Sequence, residues 1–276
     1  MSSRAYQLKK NRGVPFITFP AFNDIPFIRH GFSTRLGGVS TGCLSSMNLS
    51  YGRGDITENV TENYRRICNA IGLDTRNLVM SDQVHDTVVY RAGENDRQGA
   101  VLSEKKLCGI DGLITDRPDV VLVTTYADCV PLFLVDRKKK AIGLSHSGWK
   151  GTAGQIGKKT VEAMTREYGT CPEDITAVIG PSICRDCYEV SGDVAGTFRT
   201  SLGSSIGNAV LLDKGRGRYQ LDLWKANQLI LEEAGIPLSN ISISGFCTCC
   251  HSDLLYSHRA SRGQRGNLCG FLSILP

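Results

Sequence analysis

The sequence predicts an α+β chain folded as one unit, residues 1–276, on three observations. Helix-period and strand-like apolar runs interleave along its whole length. Two strand runs are separated only by Asp136, Arg137, Lys138, Lys139 and Lys140, too short for a helical crossover, so they must pair antiparallel. No fixed-period repeat, low-complexity tract or linker divides the chain.

The elements follow in order. Val60, Tyr64, Ile67 and Ile71 recur at helical spacing. Gln83 and His85 lead into the extended run Val88, Val89, Tyr90, which puts their side chains on one face. Strands are expected over 120–125, 132–135 and 141–144. A turn centred near Arg137 and Lys138 would make positions whose numbers sum to about 275 face each other, and Cys129 with His146 is such a pair. Ile156, Met164 and Tyr168 mark a helix that Gly169 closes as a C-cap. A strand over 177–179 precedes a helix through Val194, Phe198 and Leu202 that Ser191 opens. Asp222 is placed to N-cap a last helix carrying Leu223, Leu229 and Ile230 as far as Gly235, before a strand over 241–243.

Composition narrows the function. With 276 residues and 41% hydrophobic, the chain can build its core without disulfides. The 32 Lys+Arg exceed the 27 Asp+Glu by five, too little for a protein that coats nucleic acid, while small anionic ligands remain open. No stretch approaches the roughly 20 apolar residues of a membrane span, and the start MSSRAYQLKKNRG lacks a signal core, so a cytoplasmic protein with no membrane or nucleic-acid partner is expected. Eleven cysteines at irregular spacing read as free thiols, some of which do chemistry.

Five histidines stand at 30, 85, 146, 251 and 258. His146 lies in Gly143-Leu144-Ser145-His146-Ser147-Gly148-Trp149-Lys150-Gly151-Thr152, where a strand passes through a glycine turn into a helix. Exposed amides there, with Lys150 beside them, suit an anion, although the G-K-[ST] order of a Walker A loop is missing. Cys129, in Ala127-Asp128-Cys129-Val130-Pro131, is a small buried hydrophobe on one reading. Together with His85 and His146 it forms the two-imidazole, one-thiolate set of a catalytic zinc site with one open position. The same Cys129 and His146 would equally serve as nucleophile and base, with Asp128 or Asp111 as orienter. Cys184-x-x-Cys187 and Cys247-x-x-Cys250 have the shape of a structural zinc site, at a separation longer than a zinc ribbon's. His258, Arg259, Arg262 and Arg265 form either a solvated basic face or a hold for an anionic substrate.

Several ordered motifs then resemble one family. They are His30-Gly31-Phe32-Ser33-Thr34-Arg35-Leu36-Gly37-Gly38-Val39-Ser40, Asn48-Leu49-Ser50, Gln83-Val84-His85, Asp111-Gly112-Leu113-Ile114-Thr115, the Cys129 and His146 segments, Ile179-Gly180-Pro181-Ser182-Ile183, Cys184-x-x-Cys187-Tyr188-Glu189-Val190 and Cys247-Thr248. Over nearly the whole chain these resemble the laccase-domain family, known as multicopper polyphenol oxidoreductases and as purine nucleoside phosphorylases. The resemblance implies a single four-layer α/β/β/α domain with mixed sheets and a metal on His85, Cys129 and His146. It also implies phosphorolysis of inosine, adenosine and methylthioadenosine, and hydrolytic deamination of adenosine. Purine nucleosides and phosphate would be the partners, with Arg35, Asn48, Gln83 and Lys150 contacting ribose, phosphate or base.

Five histidines are too few for a multicopper oxidase centre, which is built mostly from imidazoles. A single His₂Cys copper would need an axial ligand such as Met80, so Zn²⁺ is expected in preference to Cu²⁺. Two other readings compete: a metal-free cysteine amidase or deamidase on Cys129 and His146, and a non-catalytic protein whose zinc sits on the four Cys-x-x-Cys thiols.

Overall fold

In the computed structural model, which describes residues 5–99 and 107–276, two large sheets lie face to face. The first four residues of the segment read for a signal fall outside that range. The seven-stranded sheet runs Gln7–Asn11, Val14–Thr18, Ile28–Ser33, Leu268–Ile274, Val121–Tyr126, Leu78–Asp82, Leu107–Cys108. The six-stranded sheet runs Ile241–Ile243, Ile175–Ile179, Val130–Asp136, Ala141–Ser147, Gly112–Thr115, Val89–Arg91. Both mix parallel and antiparallel pairs.

The layers follow from which side chains share a core. Ile17, Phe32, Leu122 and Leu272 of the first sheet pack on Phe133, Val135, Ile142 and Leu144 of the second. On the first sheet's outer face lies the helix Thr57–Ile71, with Val60, Tyr64, Ile67 and Ile71 buried against Val121, Val123 and Phe271. Helices Ile156–Tyr168 and Leu223–Glu233 cover the second sheet's outer face through Ile156, Met164, Ile230 and Leu231. The order is helix, sheet, sheet, helix. A strand buried on both faces needs an unbroken apolar run, and Val130–Asp136 and Ile175–Ile179 are buried at every position.

The expected helices form, and two of the expected caps are in place. Gly169 ends Ile156–Tyr168 in the left-handed conformation at φ +66°. The Asp222 carboxylate accepts the Lys225 amide at 2.9 Å. The helix after Ser191 spans Gly192–Ser201, and no side-chain bond from Ser191 caps it. Among the described residues three short helices carry no helical apolar repeat, Trp149–Ala153, Gly203–Ala209 and His258–Ser261. A small third sheet, Glu189–Ser191, Arg218–Leu221 and Leu211–Gly215, stands apart from the others.

The hairpin register differs from expectation by two residues. Ala141 pairs with Asp136 and His146 with Pro131, so the turn centres between Lys138 and Lys139. The cause is Asp136, whose carboxylate accepts the amides of Lys138 and Lys139 at 2.8 and 2.9 Å and places the reversal after itself. Cys129 therefore lies beyond the last pair, Ser147 with Val130, and is not opposite His146. A slip of two keeps each side chain on its face, and for that reason the two residues still approach.

Candidate metal centre and active site

Cys129 sits where the chain passes from one sheet to the other, between Val121–Tyr126 and Val130–Asp136. His146 is near the end of Ala141–Ser147, and His85 follows Leu78–Asp82. Three elements from both sheets thus converge at one end of the sandwich. Ligand atoms of His85, Cys129 and His146 all lie within 4.8 Å of one another. The two imidazoles meet edge to face, with ring centroids 4.8 Å apart.

His85 is not on a strand. It has φ +62°, a conformation uncommon outside glycine. Asp111 holds that turn: its carboxylate, wholly buried, accepts the amides of Val84, His85 and Asp86, each at 3.0 Å. The same carboxylate bonds His146 Nδ1 at 2.8 Å, and the His146 amide donates to the Asp111 carbonyl at 2.7 Å. One buried side chain thereby orients both imidazoles and leaves His146 Nε2 for a metal or a proton. Asp128 instead accepts Thr248 Oγ1 at 2.6 Å and the Arg259 amide at 2.7 Å. Asp111 is thus the orienter.

The charges are coupled. Burial raises the Cys129 thiol, but the His146 and His85 imidazoles outweigh it and bring the thiol down to about 6. Burial lowers His146, yet the Cys129 thiolate and Asp111 carry it up to about 9. Burial likewise opposes Asp111, whose hydrogen bonds from His146 and the amides leave it below the usual carboxylate range.

A Cβ on Gly148 would stand 2.9 Å from His85 Cδ2 and 3.2 Å from Cys129 Sγ, so the turn backbone packs directly against the trio. His146 is 3% exposed while His85 is exposed, which leaves the trio open on the His85 side. That side faces a cleft of about 400 Å³ lined by Ser50, Arg53, Gln83, Tyr126, Arg265 and Asn267, among others. Two imidazoles, an acidified thiol, a carboxylate behind one imidazole and one open face fit a catalytic zinc ion. Met80 supplies no axial donor: it packs in the core under the helix Thr57–Ile71.

Of the other residues singled out in the sequence, Gln83 reaches the cleft wall, but its amide is bonded to Thr125, accepting N–H at 2.7 Å and donating to O at 3.1 Å. Asn48 is buried and accepts the amides of Ser50 and Asn267, both on the cleft, at 3.1 Å each. Arg35 donates to the carbonyls of Ser45 and Ser252 and lies over the Tyr256 ring, bracing its loop. Lys150 lies over Trp149, and neither it nor Arg35 is among the cleft's lining residues. The short helix after Gly148 gives the anion expected there only five residues of backbone.

Among the described residues, the cations lining the cleft are Arg53 and Arg265. Arg265 is only 9% exposed, its Nη1 donates to the Gly266 carbonyl and the Asn267 side chain, its Nε has no partner among the described residues, and burial with Arg53 nearby lowers its guanidinium to about 10. Arg53 escaped the sequence reading because it lies far along the chain from His85, Cys129, His146 and Arg265. Its only local signal is the pair of glycines in Tyr51-Gly52-Arg53-Gly54.

Residues 29–275 match the family described as multi-copper polyphenol oxidoreductase laccase. The chain is 38% identical over 245 residues to "Purine nucleoside phosphorylase YlmD" of Bacillus subtilis (strain 168), covering 88% of this chain and 87% of that one. It is 35% identical over 235 residues to "Adenosine deaminase RL5" of an unknown prokaryotic organism, covering 83% and 87%. Its fold superposes on the crystal structure of YlmD from Geobacillus stearothermophilus with a TM-score of 0.90 at 31% identity, covering 99% and 100%.

Proposed function

The chain belongs to the multi-copper polyphenol oxidoreductase laccase family, and from that premise we propose that it is a zinc-dependent purine nucleoside enzyme. Its reactions are phosphorolysis of inosine, adenosine and methylthioadenosine and hydrolytic deamination of adenosine. The names of its relatives support the substrate class. The observation that carries the reading is a donor trio open on one side to a cleft walled by two arginines. When bound to His85, Cys129 and His146, zinc supplies Lewis acidity to whatever occupies its open position.

The chain's own residues do the rest. Arg53 and Arg265 hold phosphate as guanidinium forks. In phosphorolysis a phosphate oxygen bonds to ribose C1′ as the bond from C1′ to the purine N9 breaks, and the purine leaves with a proton. The fixed cations are most valuable as the anionic nucleophile meets an oxocarbenium-like centre. In deamination, water adds at purine C6 and ammonia departs, so the arginines are not needed. Asp111 keeps His146 in one tautomer through either reaction.

We expect Cys129→Ala and His146→Ala each to abolish both bound metal and phosphate-dependent release of hypoxanthine from inosine. Elemental analysis beside that assay decides it: turnover retained by metal-free protein overturns the reading. A second reading has its own support, the thiolate and imidazolium that Cys129 and His146 form with Asp111 behind them, which is the pattern of a cysteine hydrolase. Under it a chelator leaves activity intact while thiol alkylation removes it.

A further inference from the structure

Away from the cleft trio, four thiols gather that the proposed chemistry does not use. Cys184, Cys187, Cys247 and Cys250 place their sulfurs within 4.8 Å of one another. They come from two segments about sixty residues apart, joined by a parallel bridge between Ser182 and Cys247. The Ser182 amide donates to the Phe246 carbonyl, and the Thr248 amide donates to the Ser182 carbonyl, which sets the two Cys-x-x-Cys turns in register.

The spacing is that of a metal cage. Four sulfurs at 2.3 Å from a tetrahedral zinc ion lie about 3.8 Å from each other, and Cys250 Sγ is 4.0 Å from Cys184 Sγ and 3.4 Å from Cys187 Sγ. One thiol placed between two others suits a tetrahedron better than a unique disulfide, whose sulfurs stand about 2.05 Å apart. Cys247 Sγ accepts the amides of Cys184 at 3.3 Å and of Cys250 at 3.4 Å, bonds that favour the anionic sulfur a metal needs. Cys250 donates three residues after its acceptor, so the turn itself presents both sulfurs of its pair to one point. Cys250 is exposed and Cys247 buried, so an ion reaches the cage from solvent and is held from within.

We propose that these four cysteines bind a second, structural zinc ion, a closed tetrathiolate site distinct from the cleft trio. It clamps together the segments on either side of Asp128, whose carbonyl accepts the Ile183 amide at 3.0 Å and whose carboxylate accepts the Thr248 hydroxyl at 2.6 Å. Asp128 has φ +86° and immediately precedes Cys129, so the clamp braces a strained residue next to the cleft thiol. The cage needs nothing from the proposed activity.

Metal analysis and intact mass of the full chain test it. Wild type is expected to carry two zinc equivalents with all thiols reduced. Cys184→Ser with Cys247→Ser is expected to lose one equivalent and keep the other, whereas Cys129→Ala loses the complementary one. Cys249→Ser and the ligand-preserving Cys250→His are expected to keep both, which separates loss of a ligand from loss of the fold. A metal content unchanged by the double substitution, or a disulfide within the quartet in freshly purified wild type, overturns the proposal. If the double variant loses zinc and Cys129→Ala does not, the cage stands and the reading of the cleft trio falls.

Discussion

His30 shows how burial can set a charge state. Its Nε2 accepts the Phe19 amide at 2.9 Å, and its ring is stacked on Phe19 and edge-on to Phe22. Burial, aided by Lys9, lowers its pKa to about 4, so the folded chain holds it neutral. The unfolded chain takes up that proton near pH 6.5, and stability falls as pH drops from about 6.5 to about 4, by about 2 kcal/mol after allowing for partial exposure. Below that window the group contributes no further change. Urea midpoints at pH 7 and pH 4.5 should therefore converge more closely in His30→Gln, which keeps an acceptor for Phe19, than in wild type. Equal pH dependence in the two proteins would show that His30 is not the group responsible.

Where the strand Ala141–Ser147 meets the helix Trp149–Ala153, the junction is Gly148, and its bare backbone fills the space behind the trio. A methyl group there must displace the His85 ring or the Cys129 sulfur. Gly148→Ala is expected to weaken metal binding about ten- to a hundredfold, the cost of disturbing the groups that orient ligands, with little change in thermal unfolding. A competition titration with a chelator measures it, and undiminished affinity would mean the junction has slack. Such junctions are also where sequence reading ran short. The helix Thr57–Ile71 was legible because four buried side chains repeat at helical spacing. A helix beyond the Gly148 turn was legible from its context, but the bounds Trp149–Ala153 were not, because one turn and a half leaves no repeat to detect. The hairpin was legible as a hairpin, but its register turned on the two amides accepted by Asp136, which no periodicity records.

The cleft exists only because two sheets meet at one end, with the connection carrying Cys129 crossing between them. His85, Cys129 and His146 were readable from ligand chemistry and neighbouring motifs, and Arg265 from the basic segment that carries it, whereas Arg53 reaches the cleft only through the packing of the whole chain. If those arginines receive phosphate, Arg53→Gln should raise the KM for phosphate about tenfold or more, since each charge-assisted hydrogen bond contributes about 1.5–3 kcal/mol. Adenosine deamination should change little, and Arg265→Lys should be milder than Arg265→Gln. Equal losses in both reactions would place the arginines in the architecture and not on the anion. The seven-stranded sheet adds a constraint in time. Leu268–Ile274 lies between Ile28–Ser33 and Val121–Tyr126, and it bonds to both. During synthesis those two early strands wait on the ribosome with open edges until the segment that separates them emerges, so this half of the sandwich closes late and through contacts very distant in sequence.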